Sequence, residues 1–468
     1  MQRTAVLIVA ACLSEEQRFI EGGDRLVDSL QAAGYAAVSE SYGNQRLPLR
    51  LFSLVMIQRL RRKITSHPRF RRAKAFLNPP RFAGSRLTLK RLANLYLVRY
   101  QRARVHTKLR GYPLRLTIEA TNVCNLQCPG CFTGVGEQGR KRSHMPLDLY
   151  RRLLDELGDY LLQLEFYNWG EPLLAKDIYT MIEEASGRGI STVVSTNFSL
   201  PFDAARAERM VSAGLAVLGV SIDGARQQSY EQYRVRGDLE KVLNNCRLMK
   251  EAKEKLGSTT PDVVWEFHTF SHNIDDIELA KSMAKDLGMG IVVSKGWVAG
   301  PDWETDDEDL MRSITPPPYR PVPCDFLWER AIVNNDGGVA PCCGTFYRQD
   351  DMGKLKISAT DIGKSSFREV WNNWSYQQAR GFFRSRTGSE QTKKMVCFDC
   401  PATTIWERYQ SHLGAGGDAE AFDSGHSINA GFNYFFSRRP AKSGPAKAAG
   451  VIELQEVGAA SPAASSRR

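Results

Sequence analysis

The chain has 468 residues, 42% of them hydrophobic and 25% charged, which is material for two or three packed domains. No apolar run approaches the roughly 18 residues a helix needs to cross a bilayer, which excludes an integral helical membrane protein. Ten cysteines in a chain this long do not make a disulfide framework, and the net charge of +11 is confined to one segment.

Residues 1–41 read as a small α/β element. The run from Ala5 to Cys12 is too short for a signal peptide and is followed by Ser14, Glu15 and Glu16, so a first buried strand is expected, with Cys12 a small core residue. Residues 42–112 form a basic helical segment. No acidic residue stands between Glu40 and Glu119, a stretch that holds 20 of the 63 lysines and arginines. The rest of the chain carries 43 basic against 52 acidic residues, a net of −9. Apolar stretches such as Leu51–Ile57 and Leu92–Val98 interleave with this charge. Basic and apolar residues at helical spacing suit an anionic membrane surface, met through residues 42–110; docking on an acidic part of the same chain or on an anionic substrate is the equal alternative. Nucleic acid is not expected as a partner.

From 113 to 300, strand and helix patterns alternate. Expected strands are Arg115–Glu119, Gln163–Tyr167, Thr192–Ser195, Val217–Ile222, Val263–Phe267 and Gly290–Val293, with helices such as Leu147–Leu157 and Asp177–Gly187 between them. This order implies βαβ units and a parallel sheet. After the first strand come Cys124, Cys128 and Cys131, spaced C-x3-C-x2-C. Three thiolates within eight residues converge on one soft centre. With no fourth ligand nearby, a [4Fe–4S] cluster with one open iron fits; a zinc staple is the alternative at this spacing. Such cysteines need a reducing compartment, so the expected location is cytoplasmic, with the basic segment peripheral on the inner membrane face.

This cysteine motif after a strand resembles the radical S-adenosylmethionine (radical SAM) superfamily. The resemblance implies an α/β fold, a partial (β/α)6 TIM-like barrel whose active site lies at the C-terminal ends of the strands. It also implies that Cys124, Cys128 and Cys131 hold a SAM-binding [4Fe–4S] cluster. Gly170-Glu171-Pro172, after the second strand, resembles the family motif that receives the methionine amino group of SAM, and glycine there lets the backbone approach. Ser221-Ile222-Asp223-Gly224 resembles the family's Ser-x-Asp-Gly signature, with Ser221 near the ribose. Asn197 falls in a family Thr-Asn-Gly pattern in which Phe198 replaces the glycine. Tyr233–Gly237 matches a stretch whose arginine meets the SAM carboxylate, a role assigned to Arg236 with Arg234 as the other candidate. Asn273 precedes a helix and is expected to cap it. Where the family often places an aromatic residue to pack on adenine, this chain has Gly130.

Residues 301–320 are acidic and then proline-rich, a linker. Residues 321–412 hold Cys324, Cys342, Cys343, Cys397 and Cys400. Asn334–Gly337 is a hairpin signal ahead of Cys342, and Cys397–Cys400 is a C-x2-C pair. This region resembles the SPASM or shortened "twitch" extension, a small cysteine-rich α+β unit. The resemblance implies an auxiliary [4Fe–4S] cluster on Cys324, Cys342, Cys397 and Cys400, with a zinc ribbon as the bland alternative. Cys343 is either a spare thiol, a substitute ligand or a hydrogen-atom donor facing the substrate. Cys246 is expected in a helix core. Residues 413–468 are a Gly-, Ala-, Ser- and Pro-rich tail, expected to be largely disordered.

The resemblance implies an enzyme that reductively cleaves SAM to a 5′-deoxyadenosyl radical and takes a hydrogen atom from its substrate, with electrons from a flavodoxin- or ferredoxin-type donor. A sugar, cyclitol or lipid-linked small molecule is the expected substrate, leading to oxidation, epimerisation or rearrangement. A peptide-modifying maturase is the alternative, and a non-catalytic zinc-binding scaffold is the rival of another class.

Overall fold

The computed structural model describes residues 82–417 apart from 138, 297, 299–302, 306, 308, 309, 311–320, 358–362, 364 and 365. The expected α/β element of residues 1–41, the basic segment up to residue 81, most of the linker and the tail from 418 onward lie outside the described residues.

Six parallel strands follow the alternating pattern: β1 (Arg115–Ile118), β2 (Gln163–Phe166), β3 (Ser191–Thr196), β4 (Val217–Ser221), β5 (Asp262–Thr269) and β6 (Gly290–Lys295). They pair in chain order, and the sheet continues past β1 through β7 (Arg330–Val333), β8 (Gly338–Ala340) and β9 (Gly353–Lys354). β7 runs parallel to β1, whereas β8 and β9 are antiparallel additions. β7 takes the free edge of β1, so β1 and β6 do not meet and the barrel is partial, as the sequence implied.

The period of two decides which side chains face outward. Leu116, Ile118, Leu164, Phe166, Val194, Leu218, Val220, Trp265 and Phe267 are all buried in one core with the covering helices. The helices meet them with one apolar side each. In α2 (Leu147–Leu157), Leu149, Tyr150, Leu153, Leu154 and Leu157 recur at helical spacing and are all buried. Full burial of such a leucine contributes about 1.5–3 kcal/mol. In α6 (Leu239–Lys255) the same stripe includes Cys246, which sits in the core as expected. The opposite face of the sheet carries Arg115, Thr117, Glu165, Ser195, Ser221, Glu266 and Arg330. Several of these, Arg115, Ser195 and Glu266 among them, stay half-buried, which marks the open side of the half-barrel.

The described part of the basic segment contains α1 (Leu89–Ala103), capped by the Thr88 hydroxyl, which accepts from Arg91 N. Leu95 and Val98 are buried against Leu114 and Leu162 at the N-terminal end of the sheet. Arg91 donates to the carbonyls of Gly158 and Arg188, at or just past the C-terminal ends of α2 and α3 (Ile178–Gly187). Within 89–103, then, the apolar side chains pack within the chain, on the floor of the barrel, rather than facing outward. No helix among the described residues is long and apolar enough to cross a membrane.

Candidate cofactor centres

The first centre forms where the loop after β1 meets the loop after β2. Glu171 N donates to Val123 O at 2.8 Å. A Cβ at Gly170 would fall 2.7 Å from the carbonyl carbon of Thr121 and 2.8 Å from Asn122 Cα, and closer still to the Thr121 oxygen. Only glycine permits this approach. The Glu171 carboxylate lies within electrostatic reach of Cys124 but is taken up by the backbone and side chain of neighbouring loops. It is buried and accepts from Thr196 Oγ1 at 2.7 Å, Leu173 N at 3.0 Å and Asn197 N at 2.8 Å. Glu171 therefore binds the end of β2 to the end of β3, and Pro172 opens the short 3-10 turn Pro172–Leu174. The loop after β3 keeps a left-handed residue where the family pattern has glycine: Phe198 has φ +54° and a fully buried ring packed edge-on against Phe202.

Cys128 is buried, and Cys124 and Cys131 are half-buried beside Leu126, Tyr233 and Phe270. Burial pushes the Cys124 thiol up to about 12 and the Cys128 thiol up to about 11. Such thiols give up their protons only to a compensating cation, which is the chemistry of metal loading. Several donors face the sulfurs: Leu126 N lies 3.5 Å and Asn197 Nδ2 3.8 Å from Cys124 Sγ, Arg234 Nη1 lies 4.0 Å from Cys128 Sγ, and Thr133 and Gly134 donate to Cys131. The donor set, three thiols beside a cation and an amide, fits a cluster of negative overall charge.

Arg234, rather than Arg236, is the arginine brought to this centre. Arg236 is exposed at a left-handed turn with φ +71°. Arg234 is held by Asp223, whose fully buried carboxylate accepts from Arg234 Nε at 2.6 Å, His268 N at 2.8 Å and His268 Nδ1 at 3.0 Å. Burial alone would raise the Asp223 carboxyl, but Arg234 and His268 hold it below the usual carboxylate range. Asp223 is thus committed to Arg234 and His268. Asn273, expected to cap a helix, makes no such bond. Its amide donates to Asp223 O and His268 O, both at 2.9 Å, and fixes the loops after β4 and β5. The space an aromatic residue at 130 would fill is taken by Tyr233 and Val298.

Ser221 and Ser195 both donate to Glu266 Oε2, at 3.3 and 2.9 Å. Glu266 was not singled out from the sequence. Its signal lay in the alternation of Glu266 and His268 with Trp265 and Phe267 on β5. Gly219, on the neighbouring strand β4, makes room for it, since a Cβ there would lie 2.5 Å from Glu266 Oε1. Glu165 occupies the same face and accepts from Arg115, Arg330, Thr117 and Tyr167.

The second centre lies behind β8. Cys324, Cys342, Cys397 and Cys400 line one cavity, closed by apolar side chains that include Leu327, Phe383 and Val396. Four sequence-distant thiols around an apolar cavity fit an auxiliary cluster. Burial pushes the Cys324 thiol up to about 12. Among the described residues, no three Cys, His, Asp or Glu side chains stand close enough to grip a single ion. The cavity is assembled by the hairpin β7–β8, whose turn needs Gly337 at φ +82°, and by Cys400 at the start of α11 (Pro401–Gly414). Cys343 does not line the cavity. It is exposed, within electrostatic reach of Arg330 and Glu165 on the open side of the sheet. The two centres are joined through Thr345. Thr345 Oγ1 donates to Cys342 O at 2.8 Å, Trp169 Nε1 donates to Thr345 O at 3.0 Å, and the Trp169 ring packs edge-on against Phe132, next to Cys131.

Two family models match the chain: the radical SAM superfamily over residues 118–285, and SPASM, an iron–sulfur cluster-binding domain, over residues 324–401. An AdoMet-dependent heme synthase of Methanosarcina barkeri is 25% identical over 179 residues, which are 38% of this chain and 48% of the relative. A PqqA peptide cyclase of Bradyrhizobium diazoefficiens is 32% identical over 118 residues, 25% of this chain and 30% of the relative. The chain thus spans half or less of the length of these curated relatives. Among solved structures, Streptococcus suis SuiB bound to S-adenosylmethionine aligns with a TM-score of 0.47 and 14% identity, covering 66% of this chain and 76% of that one.

Proposed function

Since this chain belongs to the radical SAM superfamily, with a SPASM domain behind its barrel and with SAM and [4Fe–4S] clusters as its cofactors, we propose that it removes a hydrogen atom from a polar small molecule, a sugar, cyclitol or lipid-linked compound, bound on the open side of the half-barrel. The carrying observation is the polarity of that side: Arg115, Thr117, Glu165, Tyr167, Ser195, Glu266 and Arg330. Among the described residues, Glu266 keeps Oε1 without a protein donor and Arg330 Nε is buried with no partner. Covering an uncompensated polar group with an apolar ligand costs roughly 2–7 kcal/mol. An apolar ligand face laid over Glu266 Oε1 would meet that cost, whereas hydroxyl and amino groups would satisfy it.

In this assignment Cys124, Cys128 and Cys131 hold the SAM-binding cluster, and Cys324, Cys342, Cys397 and Cys400 the auxiliary one. When bound, cluster and SAM supply reductive cleavage of the sulfonium C–S bond and a 5′-deoxyadenosyl radical that abstracts hydrogen. The protein's own part is placement. Gly170 brings the backbone of the β2 loop against the cysteine loop, and Glu171 holds it there. Arg234 sets a positive charge beside Cys128, Asn197 sets an amide beside Cys124, and Ser221 and Ser195 orient Glu266. Cys343, exposed near Arg330 and Glu165, is placed to return a hydrogen atom if the reaction is an epimerisation. A flavodoxin- or ferredoxin-type protein is the expected electron donor.

The test is isotopic. Anaerobic, reduced protein with SAM and perdeuterated ring polyols or aminocyclitols should place deuterium in 5′-deoxyadenosine, read by mass spectrometry. Transfer only from a peptide would replace this proposal with a peptide-modifying one. Colourless protein with about two zincs and no SAM cleavage would replace it with a zinc scaffold.

A further inference from the structure

Arg380 is a fully buried cation with no anion beside it. It lies on α9 (Trp374–Gly381), wholly inaccessible, and makes no ion pair among the described residues. Its guanidinium donates to three carbonyls: Nε to Leu327 O at 2.7 Å, Nη1 to Thr107 O at 2.9 Å and to Trp371 O at 2.8 Å. It lies over the rings of Trp371 and Tyr376, 4.5 and 4.9 Å from their centroids. Among the described residues Nη2 has no partner, and neither has the buried hydroxyl of Tyr376. Burial with only a tyrosine among the charges it senses pulls the guanidinium down to about 9. A lone buried charge costs several kcal/mol unless something offsets it, and carbonyl dipoles and ring faces do so only in part.

The surroundings indicate what offsets it. Leu327, whose carbonyl Arg380 grips, lines the cavity of Cys324, Cys342, Cys397 and Cys400. So does Phe383, just past the end of α9, and its N donates to Arg380 O at 3.2 Å. Tyr376, which lies against the guanidinium, is within electrostatic reach of Cys397 and Cys342. Arg380 is therefore one residue layer from the cavity. Four thiolates around a [4Fe–4S] core leave roughly two negative charges, and about one more on reduction; leaving that charge out makes the electrostatics of the site incomplete.

We infer that Arg380 is a built-in counter-charge of the auxiliary cluster, a positioning residue that raises its reduction potential and so fits it to accept an electron. This rests on the assignment of the four cysteines to that cluster. The sign follows from Coulomb's law, because a fixed cation stabilises the more negative, reduced state more than the oxidised one. A raised potential favours net oxidation of the substrate over a redox-neutral outcome.

The test reads potential, which a merely structural arginine would not set. In the full chain carrying C124A, C128A and C131A, the auxiliary cluster is the only expected paramagnetic centre, and it can be titrated anaerobically by EPR. Arg380→Gln should lower the midpoint by at least one tenfold change in the oxidised-to-reduced ratio, about 59 mV for one electron. Arg380→Lys keeps the charge and should restore most of that difference, although both variants lose the carbonyl bonds and some thermal stability. Tyr376→Phe should leave the midpoint unchanged. If the glutamine variant fails to fold, Arg380→Met, neutral and of similar length, carries the same expectation. Equal midpoints for parent, Gln and Lys, or equal shifts for Gln and Lys, would overturn the inference alone. Absence of iron in the triple-alanine background would overturn the cysteine assignment, and this inference with it.

Discussion

Gly170→Ala should stop SAM cleavage almost completely while the barrel stays folded. The added Cβ meets backbone rather than a flexible side chain, namely the carbonyl of Thr121 and the Cα of Asn122. The strain, about 1–3 kcal/mol for an added methyl in a closed site, can be relieved only by parting the β2 loop from the cysteine loop. Thr121 is three residues before Cys124, so the shift passes directly to the first thiol. A displacement of about 1 Å at a reacting geometry costs on the order of a hundredfold in rate, and a fall of at least that size in 5′-deoxyadenosine formation is expected. The thermal midpoint should drop by only a few degrees, since neither Gly170 nor Thr121 belongs to the main core. A variant that cleaves SAM within about threefold of the parent would show that the close approach has no part in the site.

Asp223→Asn should have the largest effect on stability of any single change at this centre. Asp223 is fully buried, and the side chain of its partner Arg234 is 13% exposed. Removing one charge leaves the other in a dry setting, at a cost of about 3–5 kcal/mol. The loss falls where the guanidinium faces Cys128, so occupancy of the first cluster should fall as well. The double variant Asp223→Asn with Arg234→Met removes both charges, and part of the lost stability should return, read as a coupling energy in a double-mutant cycle of melting curves. Strictly additive losses would mean that the pair does not stabilise the fold.

The sequence made most of the barrel legible because one face of each strand from β1 to β5 is buried against helices. The alternation that buries Leu116, Leu164, Val194, Leu218 and Trp265 set the strands within one or two residues of their observed ends, and the cysteine spacings placed both centres in the chain. Contacts that depend on which loops meet were not legible. Arg234 and Arg236 are both near Gly237 in sequence, and only the burial of Asp223 separates a held cation from an exposed one. Glu266 carries no motif; its significance appears when Ser195 and Ser221, on two other strands, converge on it. Asn273 looked like a helix cap because Asn is favoured before a helix, but its side-chain oxygen accepts from Phe270 N at 2.7 Å instead of from the helix, while its amide donates to Asp223 O and His268 O. Leu95 and Val98 looked interfacial because a basic amphipathic helix can cover either a lipid surface or a barrel floor, and the pattern alone is the same for both. Arg380 gave no signal at all, since nothing in a sequence marks an arginine as buried without a carboxylate.

The central claim is that Cys124, Cys128 and Cys131 hold the cluster on which SAM is cleaved. Its most direct test is anaerobic 5′-deoxyadenosine formation under dithionite, with iron counted in the same preparations, for the parent chain and for C124A/C128A/C131A. The account predicts about eight irons and steady formation for the parent, and about four irons with no detectable formation for the triple variant. A triple variant that keeps its iron and forms 5′-deoxyadenosine at the parent's rate would contradict it.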